Sequence, residues 1–186
     1  STFGVAFAFP LAILLALGRR SRMPVIQWLS VTYIELIRGV PLISLLFMAS
    51  VMLPLFLPEG VTINKLLRAQ IAMILFAAAY LAEVARGALQ AIDREQYDAA
   101  AAIGLGYWGQ MGYIILPQAL RIAVPPLVNT IVAFFKDTSL VLIIGLFDLL
   151  STIKVSHNEP AWTGSGVEAY VFASLIYFIF CFAMSA

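Results

Sequence analysis

The chain has 186 residues, of which 62% are hydrophobic and only 11% charged, and its net charge is +1 at pH 7. Water-soluble domains carry about 45–50% apolar and about 25% charged residues, so the composition excludes an ordinary soluble domain and predicts a membrane protein. The near-zero charge argues against nucleic-acid binding, and the single cysteine, Cys181, excludes a disulfide within the chain.

Five apolar runs predict five membrane-spanning helices, because about 20 apolar residues are needed to cross the hydrocarbon core. The runs cover residues 1–18, 40–57, 67–89, 122–150 and 167–186. The last span is expected to be truncated, since the chain stops while it is still apolar. The sequence therefore predicts a single all-α transmembrane domain.

A shorter amphipathic segment, residues 24–38, lies between the first two spans. Pro24 suits the first turn of a helix, and Gly39 suits the position after its end. Glu35 and Arg38 are three residues apart and are expected to pair on the polar side of this helix. We predict an interfacial elbow helix that leads into the second span.

Basic residues are unevenly distributed between the two ends of the predicted spans. Seven lie after the first span and around the loop that follows the third, against three in the other connecting segments. Cytoplasmic loops are enriched in Lys and Arg, so the N-terminus is predicted outside and the C-terminus in the cytoplasm. The loop at 93–117 then lies in the cytoplasm, and the loop at 151–166 lies on the outer side.

The cytoplasmic loop is rich in small residues. Asp93, with Gln96 three residues later, has the spacing of an N-terminal capping box, and the alanines at 99–102 favour helix. Two glycines that tolerate a left-handed turn follow this helix, Gly104 and Gly106.

A second short helix is predicted over residues 107–116, because Pro117 would stop or kink it. The outer face of the first helix is mostly alanine, which lets another protein approach its backbone closely. The loop is therefore predicted to be a docking surface for a cytoplasmic partner. A tight intramolecular turn of small residues is the alternative that composition leaves open.

The loop also has a recognisable spacing. Asp98 is followed by two alanines, by Gly104, and by an Ile-Ile-Leu-Pro run that ends at Pro117. This pattern resembles the EAA loop in the membrane subunits of ABC importers. The stretches YIELIRGVPL, AAYLAEVARGALQAI, ILPQALRIAVPPLVN and KDTSL are similar to the polar-amino-acid branch of that family, and WTGSGVEAYVF resembles its general L-amino-acid permeases. The chain departs from the family pattern at Asp98, where the motif has Glu, and at Glu95, where the branch usually has Gly.

The resemblance implies a type I ABC importer permease fold, with an elbow helix and a cytoplasmic coupling helix, in the bacterial inner membrane. It implies a subunit of an ATP-driven amino acid importer that forms the translocation pathway. Contact with the ATPase subunit would come from Asp98, Ala99, Ala100, Gly104, Leu105 and Gly106.

The resemblance also implies partners. These are a dimer of ATP-binding cassette subunits, a second permease subunit and a periplasmic amino-acid-binding protein, and a permease heterodimer is favoured over a homodimer. The chain contains no G-x-x-x-x-G-K-[ST] phosphate loop. We therefore expect no catalytic residues and no cofactor in this chain, with ATP and Mg bound by the partner subunit.

The fourth span carries the candidate substrate pathway. Lys136 and Asp137 lie near its middle, where ionisable residues are functional candidates, and Asn129 lies on the same helix face as Lys136. Thr138 and Ser139 are good N-cap residues, so the helix is predicted to break near 136–139 and restart with free N–H groups for a substrate carboxylate. The alternative is a structural pair in which Asp137 neutralises Lys136.

Two further features favour structural roles. Glu83 and Arg86 are three residues apart near the inner end of the third span and are predicted to form a structural ion pair, with gating as the alternative. His157 is the only histidine and lies in a polar loop, so no metal site is expected.

Two alternatives stay open, namely a secondary carrier, and a membrane-embedded enzyme or structural scaffold. An ion- or proton-coupled secondary carrier would usually show internal repeats and unpaired carboxylates in mid-membrane, and we find no convincing repeat. A membrane-embedded enzyme would need a nucleophile and a base, for which one histidine leaves little material. A structural scaffold has no sequence feature in its favour.

Overall fold

A computed structural model describes residues 2–58, 62–157 and 164–185, and within these ranges the chain is helical with no strand. The α-helices are α1 (Thr2–Arg19), α2 (Pro24–Gly39), α3 (Leu42–Val51), α4 (Lys65–Gln90), α5 (Arg94–Ala102), α6 (Tyr107–Gly109), α7 (Leu116–Asp137), α8 (Leu149–His157) and α9 (Gly166–Ser185). Two 3₁₀ segments, Leu53–Phe56 and Thr138–Ile144, and one π-helical segment, Gln110–Ile115, lie between them. The predicted all-α fold class is confirmed for the described residues.

Helix α4 lies at the centre of the fold, and α1, α2, α3 and α7 all pack against it. Alanine side chains make up most of its buried face, at positions 69, 72, 77, 78, 79, 82 and 88. Small residues let helix backbones approach closely, which favours helix association in lipid. Three rings then join α4 to α7, with the Phe134 centroid 5.9 Å from that of Phe76 and 6.3 Å from that of Tyr80.

Three helices among the described residues are long and apolar enough to cross a membrane, namely Lys65–Gln90, Tyr107–Ile144 and Gly166–Ser185. Helices α2 and α3 meet that test only together, and their axes are bent by 102°. Gly4–Arg19 is a shorter apolar helix. The number of five spans therefore stays a prediction.

The segment predicted as the second span, residues 40–57, is not one continuous helix. Helix α3 has 10 residues, which corresponds to about 15 Å of length. Pro41 precedes it with ψ 140, and after Met52 the chain tightens into the 3₁₀ turn that contains Pro54. The two prolines explain the short helix, since neither has an N–H to continue an α-helical ladder.

Helix α2 covers the segment predicted as an elbow, and Pro24 does occupy its first turn. Its buried side chains, Ser30, Ile34 and Ile37, lie on one face, and α1 and α4 both pack against the helix. Trp28 on another face is exposed. The sharp bend before α3 suits an elbow, while the position of α2 in the membrane interface stays a prediction.

The segment predicted as the fourth span, residues 122–150, has different limits. A continuous helical rod extends over Tyr107–Ile144 and ends at Gly145, which has φ +72. Helix α8 follows, so the beginning of the predicted outer loop is helical, and Asp148 caps α8 by accepting from the Ser151 N–H at 2.9 Å. Residues 158–163 of that loop lie outside the described residues.

Candidate coupling surface and substrate pathway

The loop after α4 begins with α5, whose N-cap is Asp93. The predicted capping box is wrong in its side-chain contacts, because the Asp93 carboxylate makes no cap hydrogen bond. Gln96 points elsewhere, and its side-chain oxygen accepts a hydrogen bond from Gln118 Nε2 at 3.1 Å. This bond ties the start of the loop to α7.

The C-terminus of α5 is closed by a Schellman motif. Gly104 has φ +80, which confirms the predicted left-handed conformation. The Leu105 N–H donates to the Ala100 carbonyl at 3.2 Å, and the Gly104 N–H donates to the Ala101 carbonyl at 2.9 Å. Gly106 has φ −68, so only Gly104 of the two glycines takes the left-handed turn.

The second half of the loop does not end at Pro117 as predicted. Pro117 lies in the first turn of α7, directly after the π-helical segment. A proline leaves a carbonyl one turn earlier without its N–H partner, and the wider π turn absorbs this defect without ending the helix. Gln110 joins the π-helical segment to the turn after α5, because its Nε2 donates to the Leu105 carbonyl at 2.7 Å. The loop thus continues directly into α7 through the π-helical segment.

The alanines of α5 divide into two faces. Asp98 and Ala99 are exposed, whereas Ala100 is 0% exposed because α5 packs against the π-helical segment. The methyl group of Ala100 packs inside the chain, and the contact of this residue with the ATPase subunit stays a prediction. Gly104 and Gly106 are exposed, and Leu105 is half-buried.

Sequence reasoning missed several strongly exposed apolar residues of the loop. Ile103 and Tyr107 are both exposed, and Trp108 is 85% exposed. The rings of Tyr107 and Trp108 pack edge to face with centroids 5.2 Å apart. The sequence held a signal for them, because two neighbouring aromatic residues stand between Gly106 and Gly109 and ahead of the membrane-spanning rod. We call Asp98, Ala99, Ile103, Tyr107 and Trp108 the loop surface.

Glu83 is the centre of an ion network where α1, α2 and α4 meet. Its carboxylate accepts from Arg86 Nε at 2.9 Å and from Arg19 Nη1 at 3.0 Å, and Arg38 Nη1 lies 3.7 Å away. The predicted contact between Glu83 and Arg86 is present. The predicted pair of Glu35 and Arg38 is not, because Glu35 contacts Arg19 instead, at 3.4 Å.

The candidate pathway residues occupy the end of α7. Asn129 and Lys136 are both exposed, as their common helix face requires, while Asp137 is half-buried. No ion pair within 4.0 Å joins Lys136 to Asp137 or to any other described acidic residue. The structure therefore shows no direct ion pair between Lys136 and Asp137, which the alternative of a neutralising structural pair would require.

The predicted helix restart at 136–139 is wrong. Asp137 and Thr138 keep helical dihedral angles, and α7 passes into the 3₁₀ segment without a gap. Thr138 Oγ1 donates back to the Phe135 carbonyl at 2.6 Å, and Ser139 Oγ donates to the Lys136 carbonyl at 2.9 Å. Hydroxyl groups that bond to the preceding turn satisfy its carbonyls, so they do not cap a new helix.

A groove of about 470 Å³ lies beside this segment, between α7, α8 and α9. Lys136 and Ser139 line one side, and Tyr177 and Cys181 of α9 line the other. The remaining lining is mainly apolar. An ammonium and several hydroxyls in an apolar groove are chemically suited to hold a carboxylate.

Comparison with known proteins assigns the family. Residues 8–186 match the family described as binding-protein-dependent transport system inner membrane component. The chain is 60% identical over 185 residues to the inner membrane amino-acid ABC transporter permease protein YhdY of Escherichia coli (strain K12), covering 100% of this chain and 50% of that protein. It is 51% identical over 182 residues to the glutamate/glutamine/aspartate/asparagine transport system permease protein BztC of Rhodobacter capsulatus, covering 97% of this chain and 42% of that protein.

A solved structure agrees with these matches. A crystal structure of an amino acid ABC transporter with histidines superposes with a TM-score of 0.86 at 28% identity, covering 98% of this chain and 82% of that one. This likeness confirms the predicted type I ABC importer permease fold. The chain therefore belongs to the family of binding-protein-dependent transport system inner membrane components.

Proposed function

We propose that this chain is the transmembrane part of an ATP-driven amino acid importer. The chain spans about half the length of YhdY and less of BztC, so the activity of the whole protein is inferred from the family and from this domain. The observation that carries the proposal is the loop surface, where Ile103, Tyr107 and Trp108 are exposed in the segment that joins α5 to a long apolar helical rod. Exposed aromatic residues of this kind mark a site of protein contact.

The loop surface is built to transmit force. Gln118 holds α5 to α7, Gln110 holds the turn, and the π-helical segment joins the turn to a helical rod that ends at Ile144. An ATPase subunit that moved Trp108 would therefore move the rod as well. Rigid-body rocking of permease subunits around a midplane site is the expected consequence.

The partners follow from this arrangement. Two ATP-binding cassette subunits would bind ATP and Mg and would contact the loop surface. A periplasmic binding protein would deliver the amino acid. A second permease subunit would cover the exposed face of α7 that carries Asn129 and Lys136, with a heterodimer favoured over a homodimer. The N-terminus of this chain would lie outside and its C-terminus in the cytoplasm.

We also propose a position for the substrate. Lys136, with Ser139 beside it in the groove against α9, would hold the carboxylate of the amino acid, and Asn129 would lie along the same path. Asp137 and Thr138 would lie along the same path, and Thr138 Oγ1 also donates to the Phe135 carbonyl in the turn that carries Lys136. The ion-coupled carrier has no support among these relatives, which are ABC transporter permeases.

Trp108→Ala tests the proposal. We expect the full-length variant to insert normally but to retain much less ATPase subunit during purification in detergent. A Trp side chain that becomes buried when two proteins bind is a typical interface hot spot. Tyr113→Ala is a matched control, because Tyr113 is 81% exposed and lies beyond the loop surface on the same rod. Equal retention of the ATPase subunit by the two variants would refute the assignment of this surface.

A further inference from the structure

A second basic site lies away from both the loop surface and the α7–α9 groove. A pocket of about 450 Å³ opens between the end of α1, the start of α2 and the end of α4. Its polar lining consists of three arginines and two glutamines, Arg19, Arg20, Arg86, Gln27 and Gln90. No acidic side chain of the described residues lines it.

The arginines of this pocket are not fully neutralised by the protein. Arg19, Arg38 and Arg86 share only two carboxylates, because all three contact Glu83 and Arg19 also contacts Glu35. The side chain of Arg20 has no hydrogen-bond or ion-pair partner among the described residues. Guanidinium groups bind phosphate oxygens through paired N–H donors, so a cationic pocket of this kind is suited to a phosphate ester.

The surface next to the pocket is apolar. Ile13 and Leu17 are four residues apart on the last turns of α1 and share one face, and Arg20 is the residue directly after this helix. Both apolar side chains are exposed, as is Trp28 on α2. A small soluble anion would leave this strip uncovered, whereas a phospholipid would place acyl chains along it while its phosphate met Arg20.

We infer that the pocket binds the phosphate of an anionic phospholipid headgroup. Basic pockets between membrane helices on the cytoplasmic side are suited to such headgroups, and the inference rests on the proposed orientation, in which the end of α1 faces the cytoplasm. Gln90 accepts a hydrogen bond from Arg86 through its side-chain oxygen, which leaves its amide group to donate to the headgroup. Gln27 supplies a second amide on the opposite wall.

Native mass spectrometry of the complete transporter, purified from equal phosphatidylglycerol and phosphatidylcholine, tests this inference. The wild type is expected to retain phosphatidylglycerol preferentially. Arg20→Gln should lower that retention about fivefold or more, the factor expected for one arginine at an anionic surface. Arg22→Gln is the matched control, because Arg22 is exposed two residues further on but does not line the pocket.

Two further measurements test whether the cavity itself is needed and whether the bound phosphate belongs to a lipid or to free inorganic phosphate. Val31→Phe should fill the pocket while keeping every charge, and it should lower retention as Arg20→Gln does. Inorganic phosphate at millimolar concentration should not displace the lipid. Displacement by phosphate, or equal lipid retention in Arg20→Gln and Arg22→Gln, would overturn the inference. The readout does not depend on transport, so failure here is distinct from failure of the proposed function.

Discussion

Gln118 donates a hydrogen bond from Nε2 to the side-chain oxygen of Gln96 at 3.1 Å, across 22 residues of sequence. The same Nε2 also donates to the Ile114 carbonyl at 3.0 Å, inside its own helical rod. One amide group therefore connects the first turn of α5 to a rod that is long and apolar enough to cross a membrane. This connection makes the loop one mechanical unit with α7.

The turn after α5 depends on one glycine. Gly104 and Gly106 both have open space where a side-chain methyl group would lie, with no neighbouring atom within 4 Å, so only their backbone conformations distinguish them. We expect Gly104→Val to destabilise the turn by about 2 kcal/mol or more, because a β-branched residue tolerates φ +80 poorly. Gly106→Val should be tolerated, since its φ is −68.

Substrate-stimulated ATP hydrolysis by the complete complex, normalised to inserted protein, measures the effect of the two valines. Gly104→Val should lower it severalfold, and by more than Gly106→Val, because only the backbone conformation of Gly104 excludes valine. Equal rates in the two variants would show that the left-handed turn is not needed for coupling.

Two neighbouring alanines should respond differently to the same substitution. Ala100→Arg places a charge at a 0% exposed site and is expected to unfold the loop, at a cost of about 3 kcal/mol or more. Ala99→Arg adds the same side chain to an exposed position, so the loop should fold but bind the ATPase subunit weakly.

Limited proteolysis of the loop distinguishes these two outcomes. Ala100→Arg should expose the loop to cleavage, whereas Ala99→Arg should resist cleavage like the wild type while losing the ATPase subunit on purification. If both variants were cleaved alike, the division of α5 into a buried face and a docking face would be wrong.

The ion network predicts unequal roles for two glutamates. Glu83 has a side chain only 18% exposed and contacts three arginines, so Glu83→Gln should lower stability by about 2–3 kcal/mol. Glu35 has a side chain 57% exposed and contacts only Arg19 among the described residues, so Glu35→Gln should cost less than about 1 kcal/mol. Thermal unfolding in detergent ranks the two. A larger loss from Glu35→Gln would contradict the central position of Glu83 in the network.

The pathway hypothesis is tested by removing both mid-span charges. Lys136→Met combined with Asp137→Asn should insert and assemble, because the two side chains form no direct ion pair that their removal would break. Uptake of a labelled amino acid into proteoliposomes should fall at least tenfold, while ATP hydrolysis stimulated by the binding protein persists. Normal uptake by the double variant would exclude a substrate role for Lys136.

Local features of the loop could be predicted from sequence where a backbone conformation is accessible to few residue types. The conformation of Gly104 is an example, since few other residues accept a left-handed turn after a helix. The burial of Ala100 rather than Ala99 could not be predicted, because consecutive alanines have equal propensity and their burial depends on where the π-helical segment packs.

The same limit applies to charged and polar side chains. The contact between Glu83 and Arg86 follows from i,i+3 spacing, but Arg19 approaches Glu83 from 64 residues away. The expected pair of Glu35 and Arg38 failed because partners on other helices take both side chains. The N-cap preference of Thr138 was likewise overridden, since its hydroxyl bonds back to the preceding turn.

The energy source of transport tests the central claim most directly. The complete complex, with the full-length chain, would be reconstituted in proteoliposomes with the binding protein and a labelled amino acid. We expect uptake that requires ATP and the binding protein, persists when proton and sodium gradients are collapsed, and is lost with Trp108→Ala but not with Tyr113→Ala. Uptake driven by an ion gradient without ATP would contradict it and identify the chain as part of a secondary carrier.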